Sequence, residues 1–581
     1  MTSKIPLKLI QACFESEHYP QYFKGHCTHG SNLKFINQIV TYTKDAEWIR
    51  RIIASGLPPD YTGDALREVD TIIASAIELG YDLRDPVGNE KTKASPAAIL
   101  LGLVEEMEGA ELFHDQFNRT FISIKEDAKG RITFPLSSTF ARLRLKQIYY
   151  QHRQQPIPTN AFSEALDTLH AKALFDGPQK QVYLRVARHE DSVIVNLADE
   201  NGQVVIINRE GYCITTDSPV MFVKSAAMDT LPLPERGGNL KILQTLLGLS
   251  NQNFFRMLTF IINCLKPEGP YLLLLAEGEQ GSGKSFLCSL LKLLIDPNKP
   301  LKLRLPDSER DLMIQAKDNH LLVFDNVSGM KGDLSDALCS LSTGGGFLTR
   351  KLYTDDESQI FDECRPYILN GITGIANRPD LLERSVSIKL PTMPEGQRKT
   401  EEEILRQFYQ LRPQILGALF SVVACALGRF NEVIAPTSIR MADAAKWIVA
   451  AEPAVGLPEG TLLQALESSQ HDVAVERMAN NSLAIALAKS VERNAYEGTV
   501  GGLFDRLDPH RTRNDWNFPP TPAHLSGSLD RLRPALEKTG IMVEFGEKKR
   551  DGRYIRVWLA EEGAFEEACK LREEKHAKSK W

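Results

Sequence analysis

The sequence predicts an α/β protein with a parallel sheet at its centre, and three observations point to this class. The apolar run YLLLL (271–275) leads directly into a glycine-rich loop and then into an apolar helical pattern. Between about 240 and 430, strand-like and helix-like segments alternate, as they do in a parallel sheet with crossover helices. The segments before and after this core differ from it in their pattern of apolar and polar residues, so we expect additional domains on both sides of it.

Length and composition bound the possibilities. At ~150 residues per domain, 581 residues correspond to roughly four domains. The net charge of −6 gives no overall attraction to nucleic acid, so a polyanion must be bound by a local basic patch. Nine cysteines without a CxxC pair fit a reducing cytoplasm. Neither the first ten residues nor the apolar run 415–428 is long enough for a signal or membrane helix, so we expect a cytoplasmic protein without a membrane partner.

The segments before the core predict two domains. Residues 1–111 have apolar residues at three- and four-residue spacing, as in DAEWIRRIIASG (45–56), and indicate a helical adaptor. Residues 112–230 contain short β-branched runs with alternating polarity, such as SVIVNLAD (192–199), and indicate a small β-rich domain. We expect one helix within it, near 160–173, and a linker at 231–239.

The loop GEQGSGKS (278–285) fits the pattern GxxxxGK[ST] of a phosphate-binding loop. Backbone N–H groups of such a loop surround phosphate oxygens, and the following helix directs its N-terminal dipole toward the anion. We expect Lys284 to reach the β- and γ-phosphates of ATP and the Ser285 hydroxyl to hold Mg²⁺. The alternative is a glycine turn without a ligand. The residues expected to contact the nucleotide are Gly278, Gly281, Ser282, Gly283, Lys284, Ser285 and Phe286.

A second apolar strand, HLLVFD (320–325), ends in an acid. Asp325 stands where a phosphate-loop enzyme places its second Mg²⁺ ligand, although a strand-end aspartate can also stabilise a turn. Asn326 follows, and its amide can orient a water molecule but cannot take its proton. Hydrolysis is then slow, or another acid serves; the candidates nearby in sequence are Glu277, Glu279 and Asp336.

The third strand, RPYILNG (365–371), contributes Asn370 as a candidate contact to the γ-phosphate, or as a turn residue. In NRPDLLERSVSIKL (377–390), an arginine after a DLL run and before a strand suits an arginine finger that enters a neighbouring subunit. We select Arg384, with Arg378 as second choice. The alternative is a surface arginine paired with Glu383 or Asp380.

The C-terminal part, 494–562, predicts a winged helix, because an amphipathic helix at 521–540 precedes IMVEF (541–545) and YIRVWL (554–559) around a basic turn. Such a turn can neutralise several phosphates, and a protein-docking winged helix is the alternative. Residues 563–581 form a charged tail. The expected nucleic-acid contacts of the turn are Lys548, Lys549, Arg550 and Arg553.

With GEQGSGKS, LLVFDN and RPYILNG in this order, the segment 240–430 resembles the AAA+ ATPases, and most of all the superfamily 3 helicases and the helicase parts of phage, plasmid and poxvirus primase-helicases. The resemblance also rests on STGGGFLTRKLYTDDESQIF (342–361), which reads as the hairpin that such helicases insert into the central pore. It implies that Arg350 and Lys351 contact a nucleic-acid backbone and that Phe347 or Tyr353 stacks or packs. The alternative is an ordinary basic edge hairpin with Tyr353 in a core. Asn326 departs from the pattern.

The resemblance also implies a helical lid at 431–493, in which Arg440 is either a nucleotide sensor or part of a salt bridge. It implies a homo-hexamer, single-stranded or forked DNA as the partner, and a primase or other replication protein as a further partner. We therefore expect an oligomeric ATP-dependent DNA motor in the replication of a phage, plasmid or other mobile element. Two alternatives stay open: an ATP-switched assembly that recruits replication or defence partners with little turnover, and a primase-helicase fusion whose N-terminal block is a polymerase.

Overall fold

The computed structural model describes residues 35–36, 46–55, 57, 66–78, 95–125, 129–350, 358–372, 375, 378–391, 400–510, 518–550 and 552–560. The chain divides into two units. One comprises residues 1–104 with 146–165, and the other comprises 105–145 with 166–581. The domain boundaries expected from the sequence remain predictions.

The helices near the N-terminus follow the predicted apolar periodicity. The apolar faces of the first two helices pack around Ile49, Ile53, Val69 and Ile72, which are almost fully buried. Pro96 occupies the first position of the third helix, where its missing N–H costs nothing. The bounds are α1 Ala46–Ser55, α2 Val69–Glu78 and α3 Pro96–Glu106.

Two antiparallel sheets make up the β-rich region. The first has three strands in the order β1-β2-β3 and the second has four in the order β5-β6-β7-β8, while β4 pairs with β9 in parallel. The strands are β1 Glu111–His114, β2 Thr120–Lys125, β3 Arg131–Pro135, β4 Val182–Tyr183, β5 Val186–His189, β6 Ser192–Asn196, β7 Val204–Asn208, β8 Gly211–Thr215 and β9 Met221–Phe222.

The helices of this region differ in how well the sequence predicts them. The expected helix near 160–173 corresponds to α5 (Thr159–Ala171), which continues as a π-helical turn at Lys172–Asp176. The helix α4 (Thr139–Arg153) was not predicted. Its stretch RLRLK (142–146) alternates polar and apolar residues with the period of a strand, which hides the helix.

Helices and strands alternate through the central region. The elements are α6 Lys241–Leu247, α7 Asn251–Cys264, β10 Leu273–Gly278, α8 Lys284–Ile295, α9 Glu309–Asp318, β11 Leu322–Val327, α10 Gly332–Thr343, β12 Phe347–Arg350, β13 Ser358–Phe361, β14 Tyr367–Gly371, α11 Pro379–Leu382 and β15 Ser385–Leu390. Four of the strands form a parallel sheet in the order β11-β14-β10-β15. The mixed α/β class with a parallel sheet is therefore confirmed.

Apolar cores cover both faces of the parallel sheet. Along β10, Leu274 and Ala276 belong to one core, and Leu273 and Leu275 belong to the other. Successive side chains of a strand point to opposite faces, so a strand covered on both sides needs an unbroken apolar run. This explains YLLLL. The run ends at the carboxyl edge of the sheet, where parallel strands place their ligand sites.

The helices after the sheet are α12 Glu401–Arg429, α13 Ala442–Val455, α14 Thr461–Ala479 and α15 Ser482–Val491. The first is long and apolar enough to span a membrane by composition, but its apolar window is 61% buried inside the molecule. Its apolar residues, Leu416, Phe420 and Val423 among them, belong to the large core that includes one face of the sheet. Burial in this core explains why the helix is so apolar.

The C-terminal region consists of β16 Tyr496–Thr499, α16 Val500–Leu507, a 3₁₀ turn at Asp508–His510, α17 Pro522–Lys538, β17 Ile541–Lys549 and β18 Gly552–Leu559. The expected two-stranded wing has a third strand, because β16 pairs with β18 on the side away from β17. The residues that α17 and this sheet bury form a core of their own, which includes Leu529, Leu536, Ile541 and Val557.

A buried polar joint connects the β-rich region to the helix that follows the glycine loop. Arg185, fully buried, donates from Nε to Asp296 Oδ1 over 3.0 Å. Lys292, near the end of α8, donates to Asp296 Oδ2 over 3.0 Å. Burial would raise the pKa of Asp296, but the charges of Lys292 and Arg185 outweigh it and hold that pKa far below its usual range. The joint therefore keeps Asp296 ionised beside the end of α8.

Candidate functional site

The glycine loop has a conformation that its glycines make possible. Gly281 and Gly283 have φ angles of +80° and +83°, in the left-handed region that other residues rarely adopt. Gly278 has no space for a side chain, because a Cβ there would lie 2.6 Å from the Leu390 carbonyl oxygen. The loop leads from β10 into α8, whose N-terminal cap is Gly283. Its first N–H groups therefore have the geometry of an anion site.

Lys284, the first residue of α8, lies over the loop. Its Nζ donates to the carbonyl oxygens of Gly278 and Glu279 over 2.9 and 2.7 Å, and to Ser282 Oγ over 3.3 Å. These contacts hold the ammonium group at the mouth of the loop, on the side where an anion would approach the helix N-terminus.

Ser285, Asp325 and Asn370 meet at the carboxyl edge of the sheet. Ser285 Oγ donates to Asp325 Oδ1 over 2.8 Å, and Asn370 Nδ2 donates to Ser285 Oγ over 2.9 Å and also to Asp325 Oδ1. Asn370 is almost fully buried. Three residues separated by up to 85 positions thus form one hydrogen-bonded cluster, because β11 and β14 are neighbours in the sheet and α8 begins beside them.

The donor set of this cluster fits Mg²⁺. The ion prefers oxygen ligands and is commonly held by one or two carboxylates together with substrate phosphates. Ser285 and Asp325 supply a hydroxyl and a carboxylate, and Asn370 Oδ1 is buried without a hydrogen-bond partner among the described residues. In the part of the chain that the structure describes, no cluster of three or more His, Cys, Asp or Glu side chains offers an all-protein metal site.

Lys302 is a further residue of the site, and it was not predicted. Its Nζ lies 3.1 Å from Asp325 Oδ2, on the carboxylate oxygen that Ser285 and Asn370 leave open. The alternation in PLKLRLP (300–306) was the available signal, since it indicates a short strand. Leu303 does add to the edge of the sheet, through a parallel bridge to Phe324.

Asn326 is exposed and has a φ angle of +56°, at an irregularity in the pairing of β11 with β14. It lines a cleft of about 390 Å³ together with the glycine loop, Phe286, Ile372 and Glu401. Its amide therefore borders the space in front of the loop. Asparagine tolerates the left-handed conformation better than most side chains do, which fits its position at this bend.

The three other candidate acids lie in different surroundings. Glu277 is buried within β10, and Glu279 is exposed in the loop. Asp336 pairs with Arg378, at 2.7 Å between Oδ1 and Nη2.

Burial raises the pKa of the Cys288 thiol, one turn into α8, to about 12, and the charge of Asp325 adds to this effect. Cys288 is therefore a protonated core residue rather than a nucleophile.

The two candidate finger arginines lie at the ends of α11. Arg378 donates to the Gly332 carbonyl oxygen over 2.9 Å in addition to its pair with Asp336. Arg384 donates from Nη1 to the carbonyl oxygen of Asp380, and its Nε is buried without a partner among the described residues. Its Nη1 thus contacts the backbone of Asp380, whereas the carboxylate of Asp380 pairs with Arg440.

Arg440 forms the salt bridge that was one of its two expected roles. Its Nη1 lies 3.1 Å from Asp380 Oδ1 and 2.8 Å from Glu383 Oε2. This arginine therefore fixes α11, the short helix directly before Arg384.

The predicted hairpin is present in the backbone. Strands β12 and β13 pair antiparallel, with Phe347 opposite Phe361 and Arg350 opposite Ser358. Lys351 and Tyr353, the other two expected nucleic-acid contacts of this hairpin, lie outside the described residues. Their roles remain predictions.

The basic residues at the end of the β17–β18 hairpin fall into two groups. Arg553 stacks on Phe545, 4.0 Å from the ring centroid, and pairs with Asp530 at 3.1 Å. Lys549 lies 4.7 Å above the ring of Tyr554. Lys548 and Arg550 are exposed, with no ion pair to another described residue. We expect these last two to be the cations most available to phosphates.

Comparison with protein families matches residues 243–474 to the replication protein of actinomycete integrative conjugative elements, and residues 483–567 to the C-terminal domain of the same protein, RepA. The two models together match more than half of the chain. A comparison with curated proteins found no match.

Among solved structures, the A-form apo structure of the C-terminal region of NrS-1 is 13% identical, covers 81% of this chain and 100% of its own, and has a TM-score of 0.38. A structure of JCV helicase with a bound small molecule is 14% identical, covers 40% of this chain and 69% of its own, and has a TM-score of 0.18. At these TM-scores, neither likeness establishes a shared fold or function.

Proposed function

We propose that this chain is an oligomeric, ATP-dependent motor that moves along DNA during replication of an integrative conjugative element, because residues 243–474 and 483–567 match the models of the actinomycete integrative conjugative element replication protein and of its C-terminal domain. The observation that carries the proposal is the cluster of Ser285, Asp325 and Asn370 beside Lys284, at the carboxyl edge of three strands. This is the side of a parallel sheet at which nucleotides bind.

Each residue of the site has a role in this proposal. Lys284 would leave its loop carbonyls and neutralise the β- and γ-phosphates of ATP, and the Ser285 hydroxyl and the Asp325 carboxylate would hold Mg²⁺. When bound, Mg²⁺ supplies the positive charge that stabilises charge developing on the phosphate oxygens. Asn370 would hold the Asp325 carboxylate in position and contact the γ-phosphate. Asn326, at the mouth of the cleft, would orient the attacking water.

Turnover requires a group from outside this cluster. An arginine finger stabilises transition-state charge from the neighbouring subunit, and such a finger is worth 10³–10⁵-fold in turnover. We assign this role to Arg384, which makes the active enzyme an oligomer, with a homo-hexamer as the expected form. The hairpin of β12 and β13 and the basic turn of the C-terminal sheet would then hold single-stranded or forked DNA through its phosphates.

ATP turnover with and without single-stranded DNA tests the proposal. We expect DNA to stimulate turnover in the natural protein, and we expect Lys284→Ala to abolish both the basal and the stimulated rates. Particle images with a nonhydrolysable ATP analogue should show a closed ring. A strictly monomeric protein whose turnover ignores DNA would contradict the motor.

A second candidate function is an ATP-switched assembly that recruits a replication partner with little turnover. Asn326 favours it, because the residue after Asp325 lacks the carboxylate that could accept a proton from water. Assembly that depends on ATP, combined with negligible turnover in the presence of DNA, would support the switch over the motor.

A further inference from the structure

We propose that Lys302 is an internal competitor of Mg²⁺ for Asp325, so that it sets the Mg²⁺ concentration that nucleotide binding requires. The inference rests on the proposed function, since it concerns the metal of the same nucleotide site. It adds a residue from outside the glycine loop and the three strand ends.

The two oxygens of the Asp325 carboxylate have different contacts. Oδ1 accepts from Ser285 Oγ and from Asn370 Nδ2, while Oδ2 lies 3.1 Å from Lys302 Nζ. Oδ2 is therefore the oxygen with most capacity for a cation, and Lys302 already lies on it. A divalent ion and an ammonium group carry like charges, so each disfavours the other at one carboxylate.

Backbone hydrogen bonds position Lys302. Leu303 N donates to Val323 O over 2.7 Å, and Asp325 N donates to Leu303 O over 2.9 Å. These two bonds fix the residue after Lys302 against β11, so the lysine starts from a defined place at the sheet edge. The contact is therefore part of the fold, unlike that of a lysine on a surface loop.

The pair of Lys302 and Asp325 is partly shielded from water. The Asp325 side chain is 17% exposed and that of Lys302 is 35% exposed. An ion pair at this depth is weakened less by solvent and salt than a fully exposed one. Lys302 can move its ammonium group into water when Mg²⁺ takes its place, because its side chain is long and partly exposed. The movement therefore leaves no unpaired lysine charge buried.

The test measures binding of a fluorescent ADP analogue to the full chain while Mg²⁺ is titrated, a readout that does not depend on turnover. Lys302→Ala should lower the Mg²⁺ midpoint about fivefold, the factor that corresponds to an ion pair of about 1 kcal/mol. Lys302→Arg retains the charge and should keep the natural midpoint. Lys299→Ala is the matched control, because Lys299 is 79% exposed and pairs with Asp229 instead.

The outcomes separate the two proposals. A lower midpoint for Lys302→Ala alone supports the competition. An unchanged or higher midpoint, with Mg²⁺-dependent binding intact, overturns the role of Lys302 and leaves the nucleotide site standing. Absence of binding in the natural protein and in all three variants overturns both. Far-UV circular dichroism of each variant excludes loss of folding as the cause of a change.

Discussion

Replacing Arg185 by alanine should destabilise the folded chain by about 4 kcal/mol, because it breaks the joint between the β-rich region and the end of α8. The Arg185 side chain is fully buried and makes four hydrogen bonds. One goes to the Asp296 carboxylate, and the others go to the carbonyl oxygens of Asn196, Asp229 and Pro297.

The magnitude follows from what the change leaves behind. Removing one partner of a buried ion pair typically costs 3–5 kcal/mol, since the remaining charge stays buried. Asp296 keeps Lys292 on its other oxygen, together with the N–H groups of His320 and Leu321, which reduces this cost. The carbonyl oxygens of Asn196 and Asp229 lose this donor and add about 1 kcal/mol each where water does not replace it, whereas that of Pro297 keeps the N–H of Asp229. We therefore place the total near 4 kcal/mol.

Urea unfolding followed by far-UV circular dichroism measures this loss as a shift in midpoint. The matched control is Arg188→Ala, three residues away. Arg188 pairs with Glu268, but both side chains are more than half exposed. An exposed pair contributes about 0–1 kcal/mol, so the control should unfold close to the natural midpoint. Arg185→Lys, which retains the charge but loses the planar donors, should lie between the two.

A loss below about 1 kcal/mol for Arg185→Ala, equal to that of Arg188→Ala, would refute the reasoning. It would mean that Lys292 and water compensate Asp296 completely, and that the joint does not hold the β-rich region against α8.

Three further predictions concern function, pH and DNA. Arg384→Ala should lower ATP turnover by more than about 100-fold while leaving nucleotide affinity nearly unchanged, and lost affinity would contradict a finger acting in a neighbouring subunit. Burial lowers the pKa of His320 to about 4, so the unfolded chain takes up a proton between pH 7 and 5 that the folded chain does not. Stability should fall by about 2 kcal/mol over this range, and His320→Gln should remove that part of the pH dependence in urea titrations. Lys548→Ala with Arg550→Ala should reduce the slope of log affinity for DNA against log salt by about 2, whereas Arg553→Ala should affect folding more than the slope.

The sequence predicted the parts of the molecule in which neighbours along the chain act together. The glycine loop, the apolar strand before it and the helix after it are each specified by residues close together in the chain. The loop has a fixed motif, the strand is an unbroken apolar run, and the helix has apolar residues at helical spacing. Parallel topology then brings Asp325 and Asn370 to the same edge as Ser285, because the carboxyl ends of neighbouring parallel strands coincide. The wing in the C-terminal region was also predicted, apart from its third strand, whose sequence YEGT (496–499) has no alternating pattern.

Contacts between distant segments were not predictable in this way. Arg185 and Asp296 are 111 positions apart, and no pattern in either segment specifies the other. Lys302 reaches Asp325 because Leu303 adds to the sheet edge through a single bridge to Phe324. The alternation around Leu303 indicates a short strand but does not specify the strand that it joins. In α4, by contrast, the local pattern is strand-like although the segment is a helix. The surroundings that favour the helix cannot be read from one sequence.

The central claim is that Lys284, Ser285 and Asp325 hold a magnesium nucleotide. Calorimetric titration of a nonhydrolysable ATP analogue into the natural protein and into Lys284→Ala, with Mg²⁺ and with chelator, tests it most directly. We predict saturable, Mg²⁺-dependent binding that weakens at least about tenfold in the variant, as expected from losing one charge-assisted contact to phosphate. Equal affinity in both proteins, or no heat of binding in either, would contradict the account.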